Sequence, residues 1–257
     1  MDNKIKDFLH SEPSILFEIR QGIERECLRV DRRGNISQKA HPEKLGAKLT
    51  HKSITTDYSE NLLEFITGVH SNTKSLFSEL TDIHSFTSSV LDDEFLWPSS
   101  MPANLPRDHD IPIADFGKSH VGMLKTLYRK GLGHRYGRSM QSIAGLHFNF
   151  SMSDTFWLSL QDKEGNNQSL KDYKSEKYFH IIRNFQRYRW MLMYFFGASN
   201  IVHESFLDGK KHSLEKLGHD TFYSPEALSL RMGGLGYTSS AQEKIQICFN
   251  QVGTYIK

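Results

Sequence analysis

The sequence predicts an α+β protein, and three observations carry that prediction. Residues 22–30 form a strand-like run, and residues 142–152 alternate apolar and polar side chains. Long amphipathic runs at 74–92 and 172–196 repeat their apolar residues at helical spacing. Strands separated by helices of this length suit a mainly antiparallel sheet flanked by helices.

In chain order, residues 3–19 read as a short helix broken near Pro13. "GIERECLRV" at 22–30 is the first strand, with Glu24 and Glu26 on one face and Arg25 and Arg29 on the other. "DRRGN" at 31–35 is a turn, and "YSENLLEFITGV" at 58–69 is a second apolar and acidic segment. Asn72 and Thr73 are cap candidates for the helix over 74–92, whose apolar stripe is Leu76, Leu80, Ile83 and Val90. Pro98, Pro102, Pro106 and Pro112 make 97–118 a long loop, a kind of segment that often carries function.

A helix is expected over 119–133. In the strand at 142–152, Ala144, Leu146, Phe148, Phe150 and Met152 are expected to face a core, with Ile143, Gly145, His147, Asn149 and Ser151 opposite. The helix over 172–196 presents Ile181, Phe185, Tyr188, Leu192 and Phe195 as one stripe. A loop region follows, then "ALSLRMGGLGY" at 227–237 and a helical stretch from near Ser240.

A chain of 257 residues with 38% apolar and 24% charged residues can bury a sizeable core, so a globular class is expected. A net charge of +2 gives no reason to expect nucleic acid or an anionic membrane as partner. Cys27 and Cys248 make no disulfide framework, the start has no unbroken apolar signal core, and "WMLMYFFGA" is too short to span a bilayer. The expectation is a reduced, cytoplasmic chain.

Four groups could carry chemistry. Glu24 and Glu26 share a strand face, Glu64 sits in an apolar strand, and Asp57 begins that segment. Such carboxylates suit a hard cation, Mg²⁺ above all, or else arginine partners and solvent. His147 and Asn149 stand on the polar face of their strand and could bind a metal or substrate, or be satisfied by backbone. "TLYRKGLGHRYGRS" at 126–139 offers Tyr128, Arg129, Lys130, Arg135 and Arg138 as an anion site or as a solvated helix face. "SLRMGGLGY" sets Arg231 and Tyr237 around a glycine turn that matches no phosphate loop. CxxC, HExxH and a Ser-His-Asp order are absent, which leaves zinc and nucleophilic catalysis poorly supported.

Taken in order, "GIERECLRV", "LTHKSITTDYSENLLEFITGV", "LWPSSMP", "KTLYRKGLGHRYGRSMQSIAGLHFNFS", "YFFGAS" and "SLRMGGLGYTS" resemble the proteobacterial type of glutamate–cysteine ligase. The resemblance implies a fold similar to glutamine synthetase, with a curved antiparallel sheet lining the site. It also implies synthesis of γ-glutamylcysteine from L-glutamate, L-cysteine and ATP through a γ-glutamyl phosphate, with Mg²⁺ or Mn²⁺. It places Glu24, Glu26, Asp57, Glu64 and His147 at metal. It places Tyr128, Arg129, His147, Asn149, Arg231 and Tyr237 at substrate, with Arg231 also catalytic. Neither cysteine is required, since the reacting thiol compound is a substrate. Family members are considerably longer, so residues 1–257 are expected to be the amino-terminal part of a catalytic domain. The missing half would supply another metal-binding acid and a phosphate-binding arginine. The alternative is a truncated, inactive fragment that acts at most as a substrate-binding or interaction module.

Overall fold

The computed structural model describes residues 18–197 and 199–230, together with Lys6, His10, Ser14, Leu235, 248–250 and 252–255. Most of the helix expected at 3–19, the helix from Ser240, and Arg231 and Tyr237 lie outside the described residues.

The centre is one long strand, β1 (Ile19–Val30), three residues longer at its start than its sequence pattern shows. β3 (Leu62–Ile66) lies antiparallel along one side of it, and β2 (Ile54–Thr56) pairs with β3. Along the other side β1 takes β5 (Leu146–Met152) at Ile19–Arg25 and β4 (Phe95–Leu96) at Arg29–Val30. All pairings are antiparallel, so the expected sheet class is the one observed.

The strand period of two divides β1 between two cores. Ile23 and Cys27 meet Leu63, Phe65 and Ile54 on the back of the sheet. Helix α1 (Thr73–Val90) covers that face with Leu76, Leu80 and Ile83, and Asn72 caps it by accepting the Ser75 amide. Burial pushes the Cys27 thiol up to about 11 and makes it inert. On the front, Leu28, Val30 and Leu62 enter a second core with Tyr58, Ile111 and Phe206. Helix α2 (His120–Tyr136) joins that side; a Cβ on Gly133 would collide with the Tyr58 hydroxyl, which explains a glycine inside a helix.

Arg25 and Arg29 do point to the back, with different fates. Arg25 Nη1 lies 3.2 Å from His84 Nε2, and burial, helped by Arg25, holds His84 down at about 4, so the ring accepts. Arg29 is fully buried. It pairs with Glu94 at 2.5 Å and donates to the carbonyls of Lys39, Ala40 and Glu60 at 2.7–3.0 Å.

One expectation about packing fails. The apolar face of β5 is open: Leu146, Phe148 and Phe150 are 65%, 58% and 48% exposed, because α1 covers β1 and β3 only. Helix α4 (Leu170–Phe196) packs on α3 (Asp154–Glu164) through Tyr173 and Trp157, yet its stripe from Ile181 to Phe195 is exposed. The region after α4 is also more ordered than expected. It holds a small sheet in the order β6-β8-β7, from Ile201–His203, Thr221–Tyr223 and Glu215–Lys216. Among the described residues no helix is long and apolar enough to cross a membrane.

Candidate active site on the acidic sheet face

The register of three strands assembles the site. Glu26 stands opposite Glu64 across β1 and β3, and Glu24 stands opposite His147 across β1 and β5. Asn149 is opposite Gly22, which puts it on the same face. Asp57 follows β2 directly and is close enough to raise the Glu64 pKa by its charge. All five residues expected at metal, with Asn149 from the substrate set, therefore share one surface. A cleft of about 310 Å³ opens on it, lined in part by Gly22, Glu24, Ile66, Gly68, Asn149 and Ser151.

The polar contacts hold these groups in order. Asn149 Nδ2 donates to Glu24 Oε1 at 2.9 Å, and His147 Nδ1 lies 3.4 Å from Glu24 Oε2. The Gly145 amide donates to Glu26 Oε2 at 2.7 Å, and the Glu26 amide donates back to the Gly145 carbonyl at 2.9 Å. Arg129 reaches in from α2: its Nε donates to the Asp57 carbonyl, its Nη2 lies 3.9 Å from Asp57 Oδ1, and its guanidinium sits 4.4 Å over the Phe116 ring.

Three of the four carboxyls are pushed toward their neutral forms. Burial raises Glu64 to about 7, with the charges of Asp57, Glu26 and Glu24 adding to it. Burial also raises Glu26, against the Gly145 amide that favours its charge. Burial raises Asp57 despite Arg129 and His147. A face with this pattern is short of positive charge. Among the described residues no three acids, thiols or imidazoles already converge as ligands of one ion. An open set of carboxylates without thiols suits Mg²⁺, which keeps several waters and is held by one or two carboxylates and by substrate phosphates.

The other candidates separate. Tyr128 is 64% exposed on α2, one residue before the inward-facing Arg129. Lys130 and Arg135 are exposed, whereas Arg138 donates to the His109 and Ile111 carbonyls at 2.7 and 2.8 Å and pins the proline-rich loop. The basic stretch is thus one residue that reaches the acidic face, one structural residue and a solvated face.

Sequence reasoning missed Gly145 as more than a member of the polar face. A Cβ there would lie 2.9 Å from His147 Nε2 and 3.3 Å from Glu26 Oε1. Gly145→Ala is expected to swing His147 away while costing less than about 1 kcal/mol, because a side chain and not backbone gives way. The imidazole resonances of His147 should shift in NMR spectra while the melting temperature changes little. Unchanged His147 resonances would show that the glycine is not needed there.

The described residues thus form an α+β sheet with an acidic face and an arginine that reaches it from α2. The chain belongs to the glutamate–cysteine ligase family, whose sequence model matches residues 6–257. It is 52% identical over 94% of its length to glutamate–cysteine ligase of Saccharophagus degradans and 49% identical over 98% to that of Pseudomonas entomophila. It covers 46% and 48% of those two proteins, so it spans about half the length of the curated relatives it matches. Among solved structures it is similar to glutamate–cysteine ligase of Francisella tularensis in complex with AMP. That match has TM-score 0.84 at 39% identity, over 93% of this chain and 46% of the other. A bifunctional glutathione synthetase from Pasteurella multocida matches with TM-score 0.79 at 29% identity, over 97% of this chain and 31% of the other.

Proposed function

We propose that residues 1–257 are the amino-terminal part of the catalytic domain of a cytoplasmic glutamate–cysteine ligase, and hold its Mg²⁺ and part of its substrate site. The reaction joins the γ-carboxyl of L-glutamate to the amine of L-cysteine. The glutamate carboxylate attacks the γ-phosphorus of ATP and releases ADP; the cysteine amine then attacks the acyl phosphate, losing a proton and expelling phosphate. The observation that carries the reading is the gathering of Glu24, Glu26, Asp57 and Glu64 with His147 on one face, in a chain of this family.

Glu24, Glu26 and Glu64, with Asp57 and His147 beside them, are the residues that would hold Mg²⁺ or Mn²⁺. A bound divalent ion neutralises the repulsion between carboxylate and triphosphate. Asn149 orients Glu24 by its hydrogen bond and leaves its carbonyl free for a substrate amine. Arg129 supplies a fixed cation suited to a substrate carboxylate. Tyr128, Arg231 and Tyr237 complete the proposed substrate set, and Arg231 also stabilises charge in the transfer.

Calorimetric titration tests this. Mg²⁺ with ATP should bind, and more tightly as pH rises. Glu64 titrates at about 7, so below that the cation must displace its proton, and affinity should climb between pH 6 and 8 and then level. No binding at pH 8 by a chain with native circular dichroism would overturn the metal assignment.

A further inference from the structure

We infer that Phe116 is a positioning residue of the proposed reaction: its ring holds the Arg129 guanidinium in place between two lysines, Lys48 and Lys125, and so aims the cation that meets a substrate anion beside Asp57. This rests on the family reading and deepens it by naming what fixes Arg129.

The surroundings of the ring are the first observation. Phe116 is 5% exposed, yet it belongs to none of the three apolar clusters formed by the described residues. Cations surround it instead. The Arg129 guanidinium sits 4.4 Å from the ring centre, Lys125 Nζ 5.1 Å and Lys48 Nζ 5.6 Å. The negative face of the ring attracts each of them, the more so away from water. Three like charges around one ring also repel one another.

Uneven compensation of those charges is the second. Lys48 pairs with Glu60 at 2.5 Å, and the same Glu60 oxygen accepts the Asp115 amide at 2.7 Å. Lys125 stands one turn before Arg129 on α2 and pairs with no acid among the described residues. Its charge therefore acts on the guanidinium with only the ring between them to offset it. Hydrogen bonds fix the edge of the guanidinium: Nε donates to the Asp57 carbonyl and Nη1 to the Lys125 carbonyl at 3.0 Å. The ring fixes its face. Nη2 lies 3.9 Å from Asp57 Oδ1, too far for a hydrogen bond, and is the nitrogen left to meet a substrate anion.

The ring is itself clamped to the helix that it serves. The Phe116 amide donates to Thr126 Oγ1 at 3.2 Å, and a Cβ on Gly122 would lie 2.4 Å from the Phe116 carbonyl oxygen. Backbone and ring are thus seated against the first turns of α2, from which Lys125 and Arg129 both project.

Nitrogen relaxation of Arg129 Nε in the metal-free chain tests this, with the signal assigned by its loss in Arg129→Lys. The order parameter should be near the rigid value of about 0.85 in the parent and in Phe116→Tyr. It should fall below about 0.6 in Phe116→Leu, which fills the space and lacks the π face. Adding Lys125→Gln to Phe116→Leu should raise it again, because the repulsion is gone. An unchanged order parameter in Phe116→Leu, equal loosening by tyrosine and leucine, or no recovery with Lys125→Gln would each overturn the inference. Should Phe116→Leu not fold, pentafluorophenylalanine at position 116 keeps the shape and reverses the charge of the face; a rigid Arg129 beside it would overturn the inference as well. Turnover supplies the second readout, with the remaining half of a relative co-expressed. KM for L-glutamate or for ATP should rise about tenfold in Phe116→Leu, with kcat falling less, and stay within about twofold in Phe116→Tyr. Unchanged KM for both substrates in Phe116→Leu would overturn the positioning role. The relaxation measurement needs neither metal nor nucleotide, so turnover absent from every variant counts against the family reading and leaves the relaxation result standing.

Discussion

Purified alone, the chain is expected to make γ-glutamylcysteine at least about 100-fold more slowly than a full-length relative, the loss that a small misplacement near reacting atoms can bring. The acids at 24, 26, 57 and 64 are in place, but the β5 side of the site is open, with His147 more than half exposed. An open site positions the γ-phosphate loosely and admits water that competes with cysteine for an acyl phosphate. Phosphate release should be followed with glutamate, ATP and Mg²⁺, with and without cysteine, before and after co-expression with the remaining half of a relative. A weak, cysteine-independent release that becomes strong and cysteine-dependent with the second half is the expected pattern. Full cysteine-dependent turnover by the short chain would show that its own residues suffice. No release even in the complex would favour a binding or interaction module.

Glu64→Gln is expected to have opposite effects with and without metal. Burial and the neighbouring acids raise Glu64 from its ordinary 4.5 to about 7. Its contribution to stability is therefore complete below about pH 4.5 and is lost as pH rises through 7. Above that, the metal-free protein carries a charge that folding disfavours. Removing it should stabilise the metal-free chain at pH 8 by about 1 kcal/mol, after allowance for the screening that partial exposure brings. At pH 5 the gain should vanish. With Mg²⁺ and ATP the sign reverses: losing a charged ligand in a shielded site costs about 2–3 kcal/mol, or roughly 30- to 150-fold in affinity. Melting temperatures at the two pH values, with and without Mg²⁺–ATP, check both halves. A variant no more stable than the parent at pH 8 would mean that Glu64 is freely solvated.

What the sequence made legible was what repeats. Glu24 and Glu26 fall on one face by the strand period, and the stripe of Leu76, Leu80 and Ile83 marks α1. The pairing of Glu26 with Glu64, and of Glu24 with His147, depends on register across strands far apart in the chain, which local pattern does not encode. β6, β7 and β8 are two or three residues long, too short for a period to show. The exposed back of β5 misled for a different reason. Alternation says that a face wants covering, and it is silent on whether the cover belongs to the same stretch of chain. Gly145 was missed because a glycine reveals its purpose only through what would strike its absent side chain.

The buried guanidinium of Arg29 has a consequence for how this half assembles. Its hydrogen bonds join the end of β1 to residues 39, 40, 60 and 94, pieces of chain that meet only when the intervening loops have closed. Until all are present, the charge is withdrawn from water without full compensation, a state that costs several kcal/mol. Half-built states are thereby penalised, which ties the carboxy-terminal end of β1 to the closure of these loops. In native-state hydrogen exchange, amides at the carboxy-terminal end of β1 should open only with the whole sheet, and Arg29→Met with Glu94→Leu should let that end fray on its own.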